Sequence, residues 1–287
     1  MSNQSPIGRE YEQAELRTAL EAARRGQGRL VLVSGEAGIG KTYLVRSVLA
    51  DNTLQILSAA ASMGTTAPYA PLAAILRSYL RREPRGLAGC GRLVDYLALL
   101  LPELGPASPS GDAGALLEGI QCALTVIAQQ RPTAIFLDDL QWADSATLET
   151  LAALAEILEQ SAIVIIAAYR SDAIPREHPL RRMRAELRRQ DRLHEIALPT
   201  LDDVGTVALA AGRLGGPIGP QLAAQLFAHT EGVPFFVEEI AAALAAGQRL
   251  RASPAGFGLA AGQGLPFPEV RARCRAPAAR SALNASP

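Results

Sequence analysis

The residues best placed to do chemistry are Gly35-Glu36-Ala37-Gly38-Ile39-Gly40-Lys41-Thr42. Glycines here let the backbone turn its N–H groups inward around an anion, and a helix starting at Lys41 would add its N-terminal dipole at the same spot. Lys41 would then reach the outer phosphates of a polyphosphate, and the Thr42 hydroxyl would ligate Mg²⁺. This pattern needs a strand before it and a helix after it. Leu30-Val31-Leu32-Val33 is an apolar run suited to a buried strand, and Leu44, Val45, Val48 and Leu49 recur along one side of a helix. A glycine-rich turn matching by chance is the plain alternative, and the two flanks count against it. The chain is therefore expected to bind a nucleoside triphosphate with Mg²⁺.

A second constellation supports the first. Thr133-Ala134-Ile135-Phe136-Leu137-Asp138-Asp139 is an apolar strand ending in two carboxylates. At the carboxyl edge of a parallel sheet those acids would stand beside the phosphates. Asp138 is expected to hold Mg²⁺, directly or through water, and Asp139 to polarise the attacking water. Ala162 to Ala168 forms another buried strand, and it delivers Tyr169-Arg170-Ser171-Asp172 to the same edge. A cation at Arg170 suits sensing of the γ-phosphate, and any surface arginine would look the same in sequence.

The elements that must position these groups alternate strand and helix, the signature of an α/β fold. An N-terminal helix carries Leu16, Ala19, Leu20 and Ala23 and stops at Arg24-Arg25-Gly26. Leu54 to Leu57 reads as a second strand, followed by helical patches at Pro71–Leu80, Arg92–Leu101 and Ala115–Gln130. A Pro/Gly/Ser-rich loop over 101–111 separates the last two. Asp144 is a suitable N-cap for a helix bearing Leu148, Leu151, Ala155 and Leu158. Arg176 to Arg192 combines an apolar stripe (Leu180, Met183, Leu187) with Arg181, Arg182, Arg184, Arg188 and Arg189. It reads either as a nucleic-acid contact helix or arginine finger, or as a solvated face. The solvated face is preferred, because no aromatic residues interleave and the chain has no net charge. Arg192 to Leu198 looks like a final strand. From Thr200 only helical patterns remain: Asp202–Arg213, Pro220–His229 and Pro234–Ala246, expected to form a lid over base and ribose. His194 and His229 lack partners at ligand spacing and read as structural. The expected division is 1–28 N-terminal segment and helix, 29–199 core, 200–247 helical lid and 248–287 a disordered or aberrant tail. In the tail Arg271, Arg273, Arg275 and Arg280 face only Glu269.

Composition narrows the class. Hydrophobic residues at 49% and charged residues at 20% are ordinary for a soluble globular chain with a sizeable core. Lys plus Arg (28) equals Asp plus Glu (28), so overall charge argues for no polyanionic partner. Cys90, Cys122 and Cys274 are scattered at no zinc-like spacing. The first residues lack the pattern of a secretory leader, and no apolar run is long enough to span a bilayer, so the cytoplasm is the expected location and no membrane partner is expected.

Taken in order, these motifs resemble the ATPase module of the STAND class of AAA-related P-loop proteins. The likeness extends to large ATP-binding LuxR-type transcriptional regulators and some multidomain cyclases and kinases, and covers about residues 6–247. Ile7-Gly8-Arg9-Glu10 is similar to the family's N-terminal box, Gly35–Thr42 to Walker A, Phe136 to Asp144 to Walker B, and Ala168 to Asp172 to sensor 1. Glu231-Gly232-Val233-Pro234-Phe235-Phe236-Val237-Glu238-Glu239 is similar to the Gly-x-Pro lid motif. The resemblance implies a P-loop NTPase fold with a parallel sheet and a small helical lid. It implies ATP rather than GTP, with Gly8 and Arg9 near the adenine and Gly232 and Pro234 near the base. Asp139 is one methylene shorter than the glutamate of fast motors, and no second arginine sensor is evident in the lid. The expected activity is therefore a switch between ATP and ADP states with slow Mg²⁺-dependent hydrolysis, with self-association through the module and no direct DNA binding. A nucleic-acid-bound initiator or loader ATPase is the alternative. Family members continue past the lid into winged-helix, sensor and effector regions. Leu265-Pro266-Phe267-Pro268-Glu269 resembles the entry to the next region, but the stretch after it does not continue the pattern, and a truncated or frameshifted end is expected.

Overall fold

A computed structural model describes residues 5–50, 53–64, 67–109, 111–247 and 249–266. The chain divides into two compact units. One comprises residues up to Glu36 and Lys41–Leu198; the other comprises Ala37–Gly40 with the residues from Pro199 onward.

The first unit contains helices α1 (Glu10–Arg24), α2 (Lys41–Ala50), α3 (Ala70–Leu80), α4 (Val94–Leu97), α5 (Ala113–Gln130), α6 (Ser145–Leu158) and α7 (Pro179–Arg189). Its strands are β1 (Arg29–Gly35), β2 (Gln55–Ala60), β3 (Thr133–Asp138), β4 (Ile163–Arg170) and β5 (His194–Ala197). The strands form one parallel sheet in the order β2-β3-β4-β1-β5. Strands buried on both faces read as continuous apolar runs, and Ile163 to Tyr169 in β4 are all buried. Alternate strand residues serve opposite faces. Leu30, Leu32, Ile135, Leu137, Ile163, Ile165 and Tyr169 pack with the apolar stripes of α3, α5, α6 and α7. On the other side, α1 and α2 contact the central strands. The chain leaves β1 for the β2 edge and leaves β4 for the β5 edge. The order of connections therefore reverses between β1 and β4, where open α/β sheets carry their ligand crevice.

Local signals account for several boundaries. The Asp144 carboxylate accepts from Thr147 N (2.9 Å) and caps α6. Arg92–Leu101 is not the continuous helix expected from its apolar spacing. It is the end of a 3₁₀ segment over Ala88–Leu93, kinked at Gly91 (φ 54°), followed by the single turn of α4.

The second unit contains α8 (Asp203–Leu214), α9 (Pro220–Thr230) and α10 (Pro234–Ala246), packed through Ala210, Leu222, Leu226, Val237, Ile240 and Leu244. The Asp202 carboxylate accepts from Gly205 N (2.7 Å) as N-cap of α8. Residues 250–259 depart from the expectation of disorder. Strands β6 (Leu250–Ser253) and β7 (Gly256–Leu259) form an antiparallel hairpin. Its strands are too short to show alternation, and tertiary contacts hold it. Phe257 N donates to Pro217 O (2.8 Å), Gly219 N donates to Phe257 O (2.7 Å), and the Phe257 ring packs on the helical core. The arginines from Arg271 to Arg280 lie outside the described residues, as do Phe267, Pro268 and Glu269.

Candidate functional site

The glycine loop leaves the carboxyl end of β1 and runs into α2. Gly38 and Gly40 have φ of 78° and 95°. A Cβ at Gly40 would meet nothing within 4 Å, so glycine is required there by backbone conformation rather than by space. Ile39 is buried and anchors the loop; Glu36 faces solvent, and Ala37 is half-buried. Gly38 lies in the second unit, where Phe235 N donates to Gly38 O (3.1 Å).

Lys41, the first residue of α2, is buried. Its ammonium donates to Gly35 O (2.8 Å) and Glu36 O (2.7 Å), which folds it back over the loop. Burial, and next the Arg170 charge, pull this ammonium below its ordinary pKa, while Asp172, Asp138 and Asp139 oppose that shift. The Thr42 hydroxyl donates to Asp138 Oδ2 (2.8 Å), joining the start of α2 to the end of β3. A hydroxyl and a carboxylate held together are hard oxygen donors, and Mg²⁺ takes one or two protein oxygens when phosphates and waters complete its shell. Thr42 and Asp138 therefore fit the metal expected of them.

Asp139 has a left-handed backbone (φ 53°, ψ 41°) and starts a 3₁₀ turn, Leu140–Trp142. Aspartate tolerates this region better than most residues. Its N–H donates to Asp138 Oδ1 (3.0 Å), which orients the preceding carboxylate. Arg170 ends β4, in register with Gly35 of β1, and its Nε stands 3.5 Å from Asp139 Oδ1. Both side chains are more than a third exposed, so this pair is screened and weak as a stabiliser. Lys41, Thr42, Asp138, Asp139 and Arg170 thus come together at the carboxyl ends of β1, β3 and β4.

The remaining expected residues belong to other segments of the chain. Gly8 (φ 64°) and Arg9 precede α1; Arg9 is buried and donates to Glu12 Oε1 (3.3 Å). In the second unit, Gly232 has φ of 74°, and a Cβ there would stand 1.9 Å from Leu201 O. Leu201 N donates to Gly232 O (2.8 Å), and Pro234 occupies the first turn of α10. Backbone geometry alone therefore explains Gly232 and Pro234.

Two groups escape a reading by sequence. Gln141 is 2% exposed, and its amide touches both Asp139 and the backbone of Arg170. Tyr169, also buried, donates to Glu195, which accepts from Arg184 Nη2 (2.7 Å); the Arg184 guanidinium lies 5.5 Å from the Tyr169 ring centre. Both residues fall within segments that resemble motifs, Phe136 to Asp144 and Ala168 to Asp172, but spacing does not say which groups their side chains touch.

A family model described as "AAA ATPase domain" matches residues 5–166, more than half of the 287-residue chain. The chain belongs to the AAA ATPase domain family. Nucleotide use, with Mg²⁺ as its usual companion, follows from membership. An uncharacterized protein of Rhizobium meliloti (strain 1021) is 26% identical over 275 residues, covering 82% of this chain and only 24% of that protein. A Walker-type ATPase of Pyrococcus abyssi is similar in fold, with a TM-score of 0.53 at 15% identity over 83% of this chain and 67% of that one. The RuvB Holliday junction branch migration motor of Thermotoga maritima has a TM-score of 0.48 at 18% identity, over 83% of this chain and 62% of that one. Among the described residues of this AAA ATPase domain chain, no helix is long and apolar enough to cross a membrane.

Proposed function

We propose that this chain is an ATP-binding switch module that hydrolyses ATP slowly with Mg²⁺, of the STAND class found in LuxR-type signalling and transcriptional regulators. The observation that carries the catalytic part is the Thr42–Asp138 hydrogen bond beside Lys41 and Asp139. When bound, Mg²⁺ supplies positive charge to the phosphate oxygens. The chain's own residues do the rest. Lys41 exchanges its loop carbonyls for phosphate oxygens, and the loop N–H groups fix their orientation. Asp139 accepts a proton from the attacking water. Arg170 offers its guanidinium to charge that develops on the terminal phosphate. The short reach of aspartate favours slow turnover. The base-side roles of Gly8, Arg9, Gly232 and Pro234 rest on resemblance, as do the regulator class, self-association and a cytoplasmic location.

The α7 arginines weigh against the initiator or loader alternative. Arg181 donates to Pro175 O and Ile174 O, Arg184 to Glu195, and Arg189 to Glu186. The carboxylates of Glu195 and Glu186 offset part of the positive charge that a DNA backbone would meet on α7. A DNA titration with a steep salt dependence would favour the alternative instead.

Calorimetry with ATP, ADP and GTP, followed by a turnover assay, tests the reading. Lys41→Ala should lose nucleotide affinity, whereas Asp139→Asn should bind and lose most turnover. Undiminished ATP binding by Lys41→Ala would overturn the phosphate assignment.

A further inference from the structure

Asp139 needs more than proximity to act as a base. Its carboxylate must keep one oxygen turned toward water, on a turn with no regular secondary structure to hold it. The left-handed backbone at Asp139 reverses the chain, and buried Leu140 anchors the reversal. Trp142 N closes the turn by donating to Asp139 O (2.9 Å). This geometry sends the Gln141 side chain back between the ends of β3 and β4. There Gln141 Nε2 donates to Asp139 Oδ1 (2.8 Å), and Gln141 Oε1 accepts from Arg170 N (3.0 Å).

We infer that Gln141 is a positioning residue, a buried amide bridge that sets Asp139 and Arg170 relative to each other for ATP hydrolysis. The inference rests on the role proposed above for Asp139. A primary amide suits the task because it offers a donor and an acceptor in one rigid plane. Aspartate receives the donor; the strand end receives the acceptor. Both the Gln141 amide and the Arg170 guanidinium approach Oδ1, which directs the other carboxylate oxygen, Oδ2, to the water.

The bridge itself is held from behind. His178 Nε2 lies 3.0 Å from the backbone oxygen of Gln141, and His178 Nδ1 accepts from Leu180 N (3.1 Å) at the start of α7. An Nδ1 that accepts leaves the ring proton on Nε2, so Nε2 donates to Gln141 O. The α7 N-cap and the catalytic turn are thereby one hydrogen-bonded assembly. A chain of this kind orients a functional group from outside the reacting atoms, as outer partners orient metal ligands.

The test separates positioning from folding. Gln141→Glu keeps the side-chain volume and the acceptor for Arg170 N, but replaces the donor to Asp139 with a second carboxylate. Single-turnover ATP hydrolysis, ATP affinity and thermal midpoint are measured for the parent, Gln141→Glu, Gln141→Met, Asp139→Asn and the double variant Asp139→Asn/Gln141→Glu. The single-turnover rate constant of Gln141→Glu should fall by about tenfold or more while ATP affinity stays within about threefold of the parent. Gln141→Met, which keeps volume without either hydrogen bond, should also slow the reaction. In the Asp139→Asn background the Gln141 substitution should cost nothing further. The inference alone is overturned if Asp139→Asn abolishes turnover while Gln141→Glu hydrolyses ATP at the parent's rate. It is overturned too if rate, affinity and thermal midpoint all fall together, or if the two substitutions are additive. A parent with no turnover, or an Asp139→Asn variant as fast as the parent, overturns the reading of Asp139 itself and this inference with it.

Discussion

Thr42 and Asp138 are separated by 96 positions in the chain and by 2.8 Å in space. That hydrogen bond ties the first turn of α2 to the end of β3 and presents two oxygen donors together. Thr42→Val keeps the side-chain shape and removes the hydroxyl. It should cut Mg²⁺-dependent turnover by about tenfold or more. The excess of ATP affinity in Mg²⁺ over that in EDTA should also shrink, as read by calorimetry. Parent-like turnover and Mg²⁺ dependence would remove Thr42 from the metal assignment.

Arg170 meets Asp139 through Nε at 3.5 Å, half in solvent. The guanidinium should matter more to the reaction than to the fold. Arg170→Ala should leave the urea midpoint of unfolding close to that of the parent. Turnover should drop by about tenfold to a hundredfold, with Arg170→Lys between the two. A large loss of stability with intact turnover would make Arg170 a structural residue.

Tyr169 supplies a pH-dependent signature. Burial, reinforced by the hydrogen bond to Glu195, raises its phenol above the ordinary value of 10.0. Below pH 10 the folded and unfolded chains both hold this proton. Above it the unfolded chain releases the proton first, so native stability falls as pH rises. Tyr169→Phe should cost about 1–2 kcal/mol at pH 8, because Glu195 loses a donor. The decline in stability above pH 10 should also flatten. Urea unfolding between pH 8 and pH 11 measures both, and an unchanged alkaline slope would contradict the assignment.

Gly232 should prove intolerant of any side chain. Asparagine tolerates left-handed φ, yet its Cβ would still meet Leu201 O. Gly232→Ala and Gly232→Asn should each destabilise by about 1–3 kcal/mol, seen as a lower urea midpoint. At Gly40, where the same space is open, Gly40→Asn should lose about 1 kcal/mol, less than Gly232→Asn, because backbone strain acts there without collision. Equal effects at the two glycines would show that strain, rather than collision, governs Gly232.

The local segments were legible in the sequence. Strand, glycine loop and helix succeed one another within a few residues, so spacing alone identifies Gly35–Thr42, and an apolar run ending in acid identifies Asp138 and Asp139. Helix α7 was legible as a stripe of Leu180, Met183 and Leu187, although the partners of its arginines were not. Pairing was another matter. Nothing in the chain states that β4 lies between β3 and β1, so nothing in it states that Arg170 meets Asp139. The hairpin at 250–259 was missed because its strands are four residues each and its hold comes from Pro217 and Gly219.

The sequence by itself determined which residue types were available for the proposed phosphate, metal and water roles, because those motifs depend on covalent neighbours and short-range backbone geometry. Only the tertiary structure decided which of them share hydrogen bonds. The strand order, the left-handed turn at Asp139 and the burial of Gln141 are consequences of packing between segments distant in the chain. The reach of the Gln141 amide, from Asp139 to the end of β4, follows from that packing and from no spacing rule.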